Sequence, residues 1–209
     1  MNELALDGLL IRTSREFGSS NANHRTQLRH ALQDFIRSAA AKSQSGNEEE
    51  FLRAVNALTN LAIRPRVPGW ALSVSHCGTL GGFIASKNAA NNATEVGIDF
   101  ESASRVSESI AVRVAPFAGE KALLEMLKDT HAPWALFWVA KEAAIKAFGN
   151  RFPTEAPHFG EIEITSINLI ARTFTARLHR LVSSGRFLDA IDEADASIVG
   201  AIASVSQSD

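Results

Sequence analysis

Hydrophobic positions along the 209-residue chain change their spacing several times, and each change predicts an element. Leu9 to Ile11 form a short apolar run that fits a strand or a short helix, with a Ser/Asn-rich turn at 18–23. From residue 24, Leu28, Ala31, Leu32, Phe35, Ile36 and Ala39 recur at intervals of three and four, which predicts an amphipathic helix to about residue 41. A polar loop at 42–47 ends it. A second helix over 48–61 opens with three glutamates suited to a helix N-terminus, carries Phe51, Val55, Leu58 and Leu61 on one face, and is stopped by Pro65 and Pro68. The spacing then drops to two: strands at 70–74 and 81–85 flank a glycine-rich turn at 76–82, and a turn at 88–94 leads to a strand at 95–101, which together suggest an antiparallel meander. Helices at 106–115, 119–128 and 132–148, a proline loop at 151–160, and strand-like runs at 161–167, 173–181, 186–191 and 197–205 complete an α+β reading. The lobe boundary falls at the 88–94 turn, giving residues 1–94 and 95–209.

Two stretches carry charges where the pattern calls for apolar residues. The segment APWALFWVAKEAAIKAF, residues 132–148, has only Lys141, Glu142 and Lys146 as charged groups. A helix apolar on every side is expected to be buried, and burying ions costs several kcal/mol unless each has a partner. A ligand or metal would supply one; so would a plain i,i+4 ion pair between Glu142 and Lys146, with Lys141 on a solvated flank. In TEVGIDFES, Val96, Ile98 and Phe100 alternate with Asp99 and Glu101, so the two acids share one face, with side chains roughly 6–7 Å apart along the strand. Such a pair suits a hard cation such as Mg²⁺, and equally a solvated acidic face.

Composition narrows the classes. The chain is 45% hydrophobic and 21% charged, as for an ordinary globular protein, and its net charge of −2 gives no global pull toward nucleic acid or an anionic membrane. With Cys77 its single cysteine, the chain has no disulfide framework and no multi-cysteine zinc site, which fits a reducing compartment. The six histidines lack ligand spacing. The first residues, MNELALDGLLIR, resemble neither a signal peptide nor a membrane anchor, so a cytoplasmic protein is expected.

GIDFE at 97–101 and WVAKEAAIKAFG at 138–149 resemble the signatures G-(I/V)-D-x-E and W-x-x-K-E-x-x-x-K of the 4'-phosphopantetheinyl transferases. LSVSHCG at 72–78 is similar to the family's S-H-S motif. HRTQLRHAL at 24–32 resembles the arginine-bearing helix start of the two-lobed, surfactin-synthetase-activating type. Four motifs in order with sensible spacing agree with one another. The resemblance runs from about residue 24 to 149. It implies two similar lobes related by a pseudo-twofold axis, each a small antiparallel sheet packed with helices, with coenzyme A in the cleft between them. It also implies a monomer.

The resemblance further implies transfer of phosphopantetheine from coenzyme A to a serine of an apo acyl or peptidyl carrier protein, leaving 3',5'-ADP. Asp99, Glu101 and Glu142 would bind Mg²⁺ with the pyrophosphate, and Lys146 would clamp it. The serine proton would go to Glu142, with Glu120 of FAGE as runner-up; a glutamate at a helix N-terminus is more often a dipole partner. Ser75 and His76 match the positions that hold the 3'-phosphate, Arg25 and Arg64 match nucleotide contacts, and Lys141 lies in the lysine signature beside Lys146 as a further coenzyme A contact. The chain departs from the pattern at Cys77, which replaces the second serine of S-H-S, and in RPRVPGW. A non-catalytic relative that binds coenzyme A or a carrier protein, and a Mg²⁺-dependent phosphohydrolase, are the competing readings.

Overall fold

In the computed structural model, strand β5 (Thr94–Ser102) and helix α5 (Pro133–Arg151) lie against each other along their lengths. Residues 2–6, 9–18, 22–40, 48–62, 64–88, 94–152, 157–188 and 198–206 are described. The close approach has a simple cause. Ala135, Ala140, Ala143, Ala144 and Ala147 give α5 a small-residue surface, all of it buried, and β5 meets it with Gly97, where an added Cβ would sit 1.9 Å from Ala143 O. Pro133 begins the helix, where its missing N–H costs nothing.

Two antiparallel sheets frame this pair. The first runs β1-β2-β4-β3, built from β1 (Asn2–Leu6), β2 (Leu9–Ser14), β3 (Trp70–Cys77) and β4 (Leu80–Lys87). Helices α1 (His24–Ala40) and α2 (Glu48–Ala57) cover it, burying Leu28, Leu32, Ile36 and Val55 against Leu72, Phe83 and Ala85. The second runs β5-β9-β8-β7-β6, with β6 (Glu163–Asn168), β7 (Thr173–Leu178), β8 (Leu181–Leu188) and β9 (Ile198–Ser206). Against it pack α5, α3 (Glu108–Arg113) and α4 (Ala118–Leu127). A third cluster, including Ile11, Ile84, Val96, Ile98 and Ile202, joins the two sheets.

The three-strand meander does not form. β3 and β4 make a hairpin with Cys77 opposite Leu80, but β5 pairs with β9. The reason is that β2 already occupies the other edge of β4, so β5 has no place beside β4. Period-two alternation identifies a strand without naming its partner. Instead β5 runs alongside β3: Ser73 Oγ accepts from Ile98 N at 3.1 Å and Ser75 Oγ accepts from Phe100 N at 3.2 Å. The constant offset of 25 residues in these two bonds makes the strands parallel. Asn150, near the end of α5, donates to Val96 O at 2.9 Å and to Leu72 O at 3.4 Å, closing the same seam.

Smaller differences have local causes. α2 ends at Ala57 rather than 61, where Thr59 Oγ1 donates to Asn56 O and Asn60 Oδ1 accepts from Ala62 N. The turn expected at 76–82 is only Gly78 and Thr79, with Gly78 at φ +49. β8 begins at Leu181 and runs through 182–185, between the runs expected at 173–181 and 186–191; Gly185 is needed there because the Phe174 ring covers it, and an added Cβ would lie 2.0 Å from Phe174 Cζ. The expected loop at 42–47, the interior of that at 88–94, parts of those at 18–23 and 151–160, the end of the run expected at 186–191 and the start of that at 197–205 lie outside the described residues.

Candidate active site

α5 runs antiparallel to β5, so its fourth turn reaches the strand at Asp99. Lys146 Nζ donates to Asp99 Oδ1 at 2.7 Å and to Ile98 O at 3.0 Å. Ser75 Oγ, the hydroxyl that accepts from Phe100 N, donates to the same Asp99 oxygen at 2.9 Å. Asp99 is buried, and burial pushes its carboxyl above the usual range, with Lys146 and Ser75 opposing and Glu101 adding to the rise.

Glu101, two residues along on the same face, has Oε1 held by Ser102 N at 2.8 Å, by Cys77 Sγ at 3.2 Å and by the Arg105 guanidinium at 3.3 Å. Glu142, half-buried on α5, is pushed up chiefly by burial and then by the Asp99 and Glu101 charges, with Lys146 opposing. Three carboxylates thus lie near one another, with Lys146 bonded to Asp99 and acting on Glu142, and Arg105 paired with Glu101. Their oxygen-only donors and excess negative charge fit a hard divalent cation. As they stand, no group of three His, Cys, Asp or Glu side chains among the described residues is drawn together tightly enough to hold an ion, and Lys146 is bonded to Asp99.

The expected phosphate contacts divide. Ser75 faces Asp99 and is already engaged on both sides. His76, on the opposite face of β3, meets the His24 ring edge-on at 4.4 Å, and its Nδ1 is buried without a hydrogen-bond partner among the described residues. Burial first, then His24, Arg25 and Lys146, pull its pKa down to about 4. Arg25 and Lys146 are therefore each close enough to act on His76. Arg64 donates to Lys146 O at 2.9 Å, and its guanidinium is pulled down by burial and by Arg66, with Glu95 opposing.

Lys141 and Glu120 are not brought to this cluster. Both are fully buried, with Lys141 Nζ 2.7 Å from Glu120 Oε1 and 2.5 Å from Val114 O. Glu120 also accepts from Ile164 N at 2.9 Å and from Phe117 N at 3.5 Å. Burial raises the Glu120 pKa and lowers that of Lys141, and their mutual bond opposes both shifts. The pair ties α4 and β6 to α5, so Lys141 and Glu120, expected as a coenzyme A contact and as the runner-up base, engage each other. Cys77, Arg105 and Asn150 are not among the site residues expected from sequence; Cys77 carries a signal in its place within LSVSHCG, and Arg105 in its spacing of four from Glu101.

Residues 95–198 match the family model of ACPS, the 4'-phosphopantetheinyl transferase superfamily, so the chain carries a domain of that superfamily. The match contains GIDFE and WVAKEAAIKAF, and the mixed α+β architecture, two antiparallel sheets packed against helices, agrees with it. Membership supports phosphopantetheinyl transferase activity in general, with coenzyme A, a divalent metal and a carrier protein as the family's usual participants. No curated protein matches the chain. No helix among the described residues is long and apolar enough to cross a membrane.

Proposed function

We propose that this protein is a Mg²⁺-dependent 4'-phosphopantetheinyl transferase that moves the phosphopantetheine group of coenzyme A onto a serine of an apo acyl or peptidyl carrier protein, giving holo carrier protein and 3',5'-ADP. The observation that carries this reading is the convergence of the β5 carboxylates, Asp99 and Glu101, with Glu142 and Lys146 of α5. In this reading the lobes are residues 1–94 and 95–209, related by a pseudo-twofold axis with coenzyme A in the cleft between them, and the protein is a cytoplasmic monomer.

Asp99, Glu101 and Glu142 would hold the Mg²⁺. When bound, the ion supplies charge neutralisation to the pyrophosphate and to the leaving phosphate. Lys146 can trade its bond to Asp99 for a phosphate oxygen, which keeps its ammonium paired while carboxylate becomes available. Glu142, held above the ordinary carboxylate range, is the group suited to take the serine hydroxyl proton, directly or through a water. Glu120, the runner-up base, and Lys141 receive a structural role, because their charges are spent on each other in a site closed to solvent. His76, with its buried unpartnered Nδ1, and Arg25 beside it suit the 3'-phosphate end of coenzyme A. Arg64 reaches the same region from the backbone of Lys146. Ser75 acts on Asp99 rather than on phosphate.

The test is intact-mass spectrometry of a panel of apo carrier proteins after incubation with coenzyme A and Mg²⁺, with Asp99→Ala alongside. A phosphopantetheine-sized mass gain that needs Mg²⁺ and vanishes in the variant is the expected outcome. Coenzyme A binding with no gain on any carrier would favour the non-catalytic relative. Release of free phosphopantetheine without an acceptor would favour the phosphohydrolase.

A further inference from the structure

Glu101 differs from the other carboxylates in how it is held: two hydrogen-bond donors and a guanidinium ion pair converge on one of its oxygens. Ser102 N, Cys77 Sγ and the Arg105 guanidinium all address Oε1, while no hydrogen bond to Oε2 from any described residue is seen. The Ser102 amide comes with the backbone and the Arg105 side chain is 67% exposed, where an ion pair is weak and mobile. Cys77 is the one buried side chain of the three, 1% exposed and packed with Ile98 and Phe100 in the cluster that joins the two sheets. Its thiol must be the donor, since an ionised carboxylate has no proton to offer.

We propose that Cys77 is a positioning residue: its thiol pins Oε1 of Glu101 from β3, so that Oε2 alone is presented to a divalent cation and the carboxylate acts as a one-oxygen ligand. The inference rests on the transferase reading of the site. It goes beyond that reading in giving a cation-related task to a residue at which the chain departs from the S-H-S pattern. A buried cysteine also serves as a small hydrophobe, and the two roles separate by substitution. Valine keeps bulk and removes the donor, whereas serine keeps the donor and loses some bulk.

The test is Mn²⁺ binding to the full chain, followed by the electron paramagnetic resonance of free Mn²⁺, with and without coenzyme A. Cys77→Val, Cys77→Ser and the wild type are compared, with urea unfolding to confirm the fold and Cys77→Ala as the substitute if the valine variant does not fold. Removing a hydrogen-bond partner of a metal ligand typically costs about 10–100-fold in metal affinity, so Cys77→Val should weaken Mn²⁺ binding by at least about tenfold, and Cys77→Ser should restore most of it. Carrier modification by the variant should then need more metal for half-maximal rate, with the KM for coenzyme A little changed. Equal Mn²⁺ affinity in the wild type and a folded valine or alanine variant overturns the positioning role and leaves the transferase reading intact. A wild type that binds no Mn²⁺ and modifies no carrier overturns both.

Discussion

Gly97 offers the sharpest perturbation of the site that touches none of its charged groups. An alanine there would put its Cβ 1.9 Å from Ala143 O, 2.7 Å from Ala147 N and 2.9 Å from Ala143 C. All three are backbone atoms of α5, so trimming a neighbouring side chain cannot relieve the clash. Ordinary contact for a Cβ begins near 3.4 Å, so α5 would have to retreat from β5 by about 1.5 Å in a close-packed interior. Overpacking of that kind costs typically 1–3 kcal/mol, or about 2–12 °C in Tm for a chain of this size. The retreat also lifts Glu142 and Lys146 away from Asp99, stretching the 2.7 Å bond between Lys146 and Asp99 toward about 4 Å, and a displacement of about 1 Å can cost on the order of 10²-fold in rate. Gly97→Ala should therefore melt lower and modify carrier protein about a hundredfold more slowly at saturating coenzyme A, even at temperatures where it is fully folded. A variant with wild-type Tm and a rate within about twofold of wild type would refute the claim that this contact sets the site.

Three further outcomes are expected. Glu120→Gln or Lys141→Met alone leaves a buried charge without its partner and should cost about 3–5 kcal/mol in urea unfolding, whereas Glu120→Leu with Lys141→Met should recover much of the loss; equal losses in single and double variants would argue against a coupled pair. Lys146→Met removes the cation from Asp99, so Mn²⁺ should bind the coenzyme A-free protein more tightly than wild type while coenzyme A binds less tightly in calorimetry; unchanged Mn²⁺ binding would sink this idea. His76 has its pKa lowered from 6.5 to about 4, so between those pH values the unfolded chain binds a proton that the folded chain refuses, and the stability it contributes is lost as pH falls through that window. His76→Gln should lose less stability than wild type between pH 7.5 and pH 5, and parallel losses in the two proteins would count against it.

Much of this arrangement is legible in the pattern of residues. The all-round apolar helix at 132–148 and the alternation in TEVGIDFES place Glu142, Lys146, Asp99 and Glu101 on recognisable elements, and α5 and β5 appear close to the predicted bounds. Helix geometry also separates Lys141 from the site: residues 142 and 146 share a face, while 141 lies about 100° around the helix from 142. What no local pattern contains is the identity of the group waiting on that other face. Glu120 is 21 residues away in sequence, and Lys141 meets it because α4 folds back on α5. The partner of β5 is hidden for the same reason, since it depends on β2 occupying the other edge of β4, a contact between strands about 70 residues apart. Cys77 and Asn150 belong to the seam, so their roles become visible only once the two sheets meet.

The seam between β3 and β5 couples sheet docking to the placement of Asp99. The strands are joined there through Ser73, Ser75 and Asn150, and the Ser75 hydroxyl that accepts from Phe100 N also donates to Asp99. A one-residue slip of either sheet would turn Ser75 away and set Val74 or His76 in its place, leaving the buried Asp99 without its hydroxyl. The position of a buried carboxylate is thus tied to the register in which the two sheets dock.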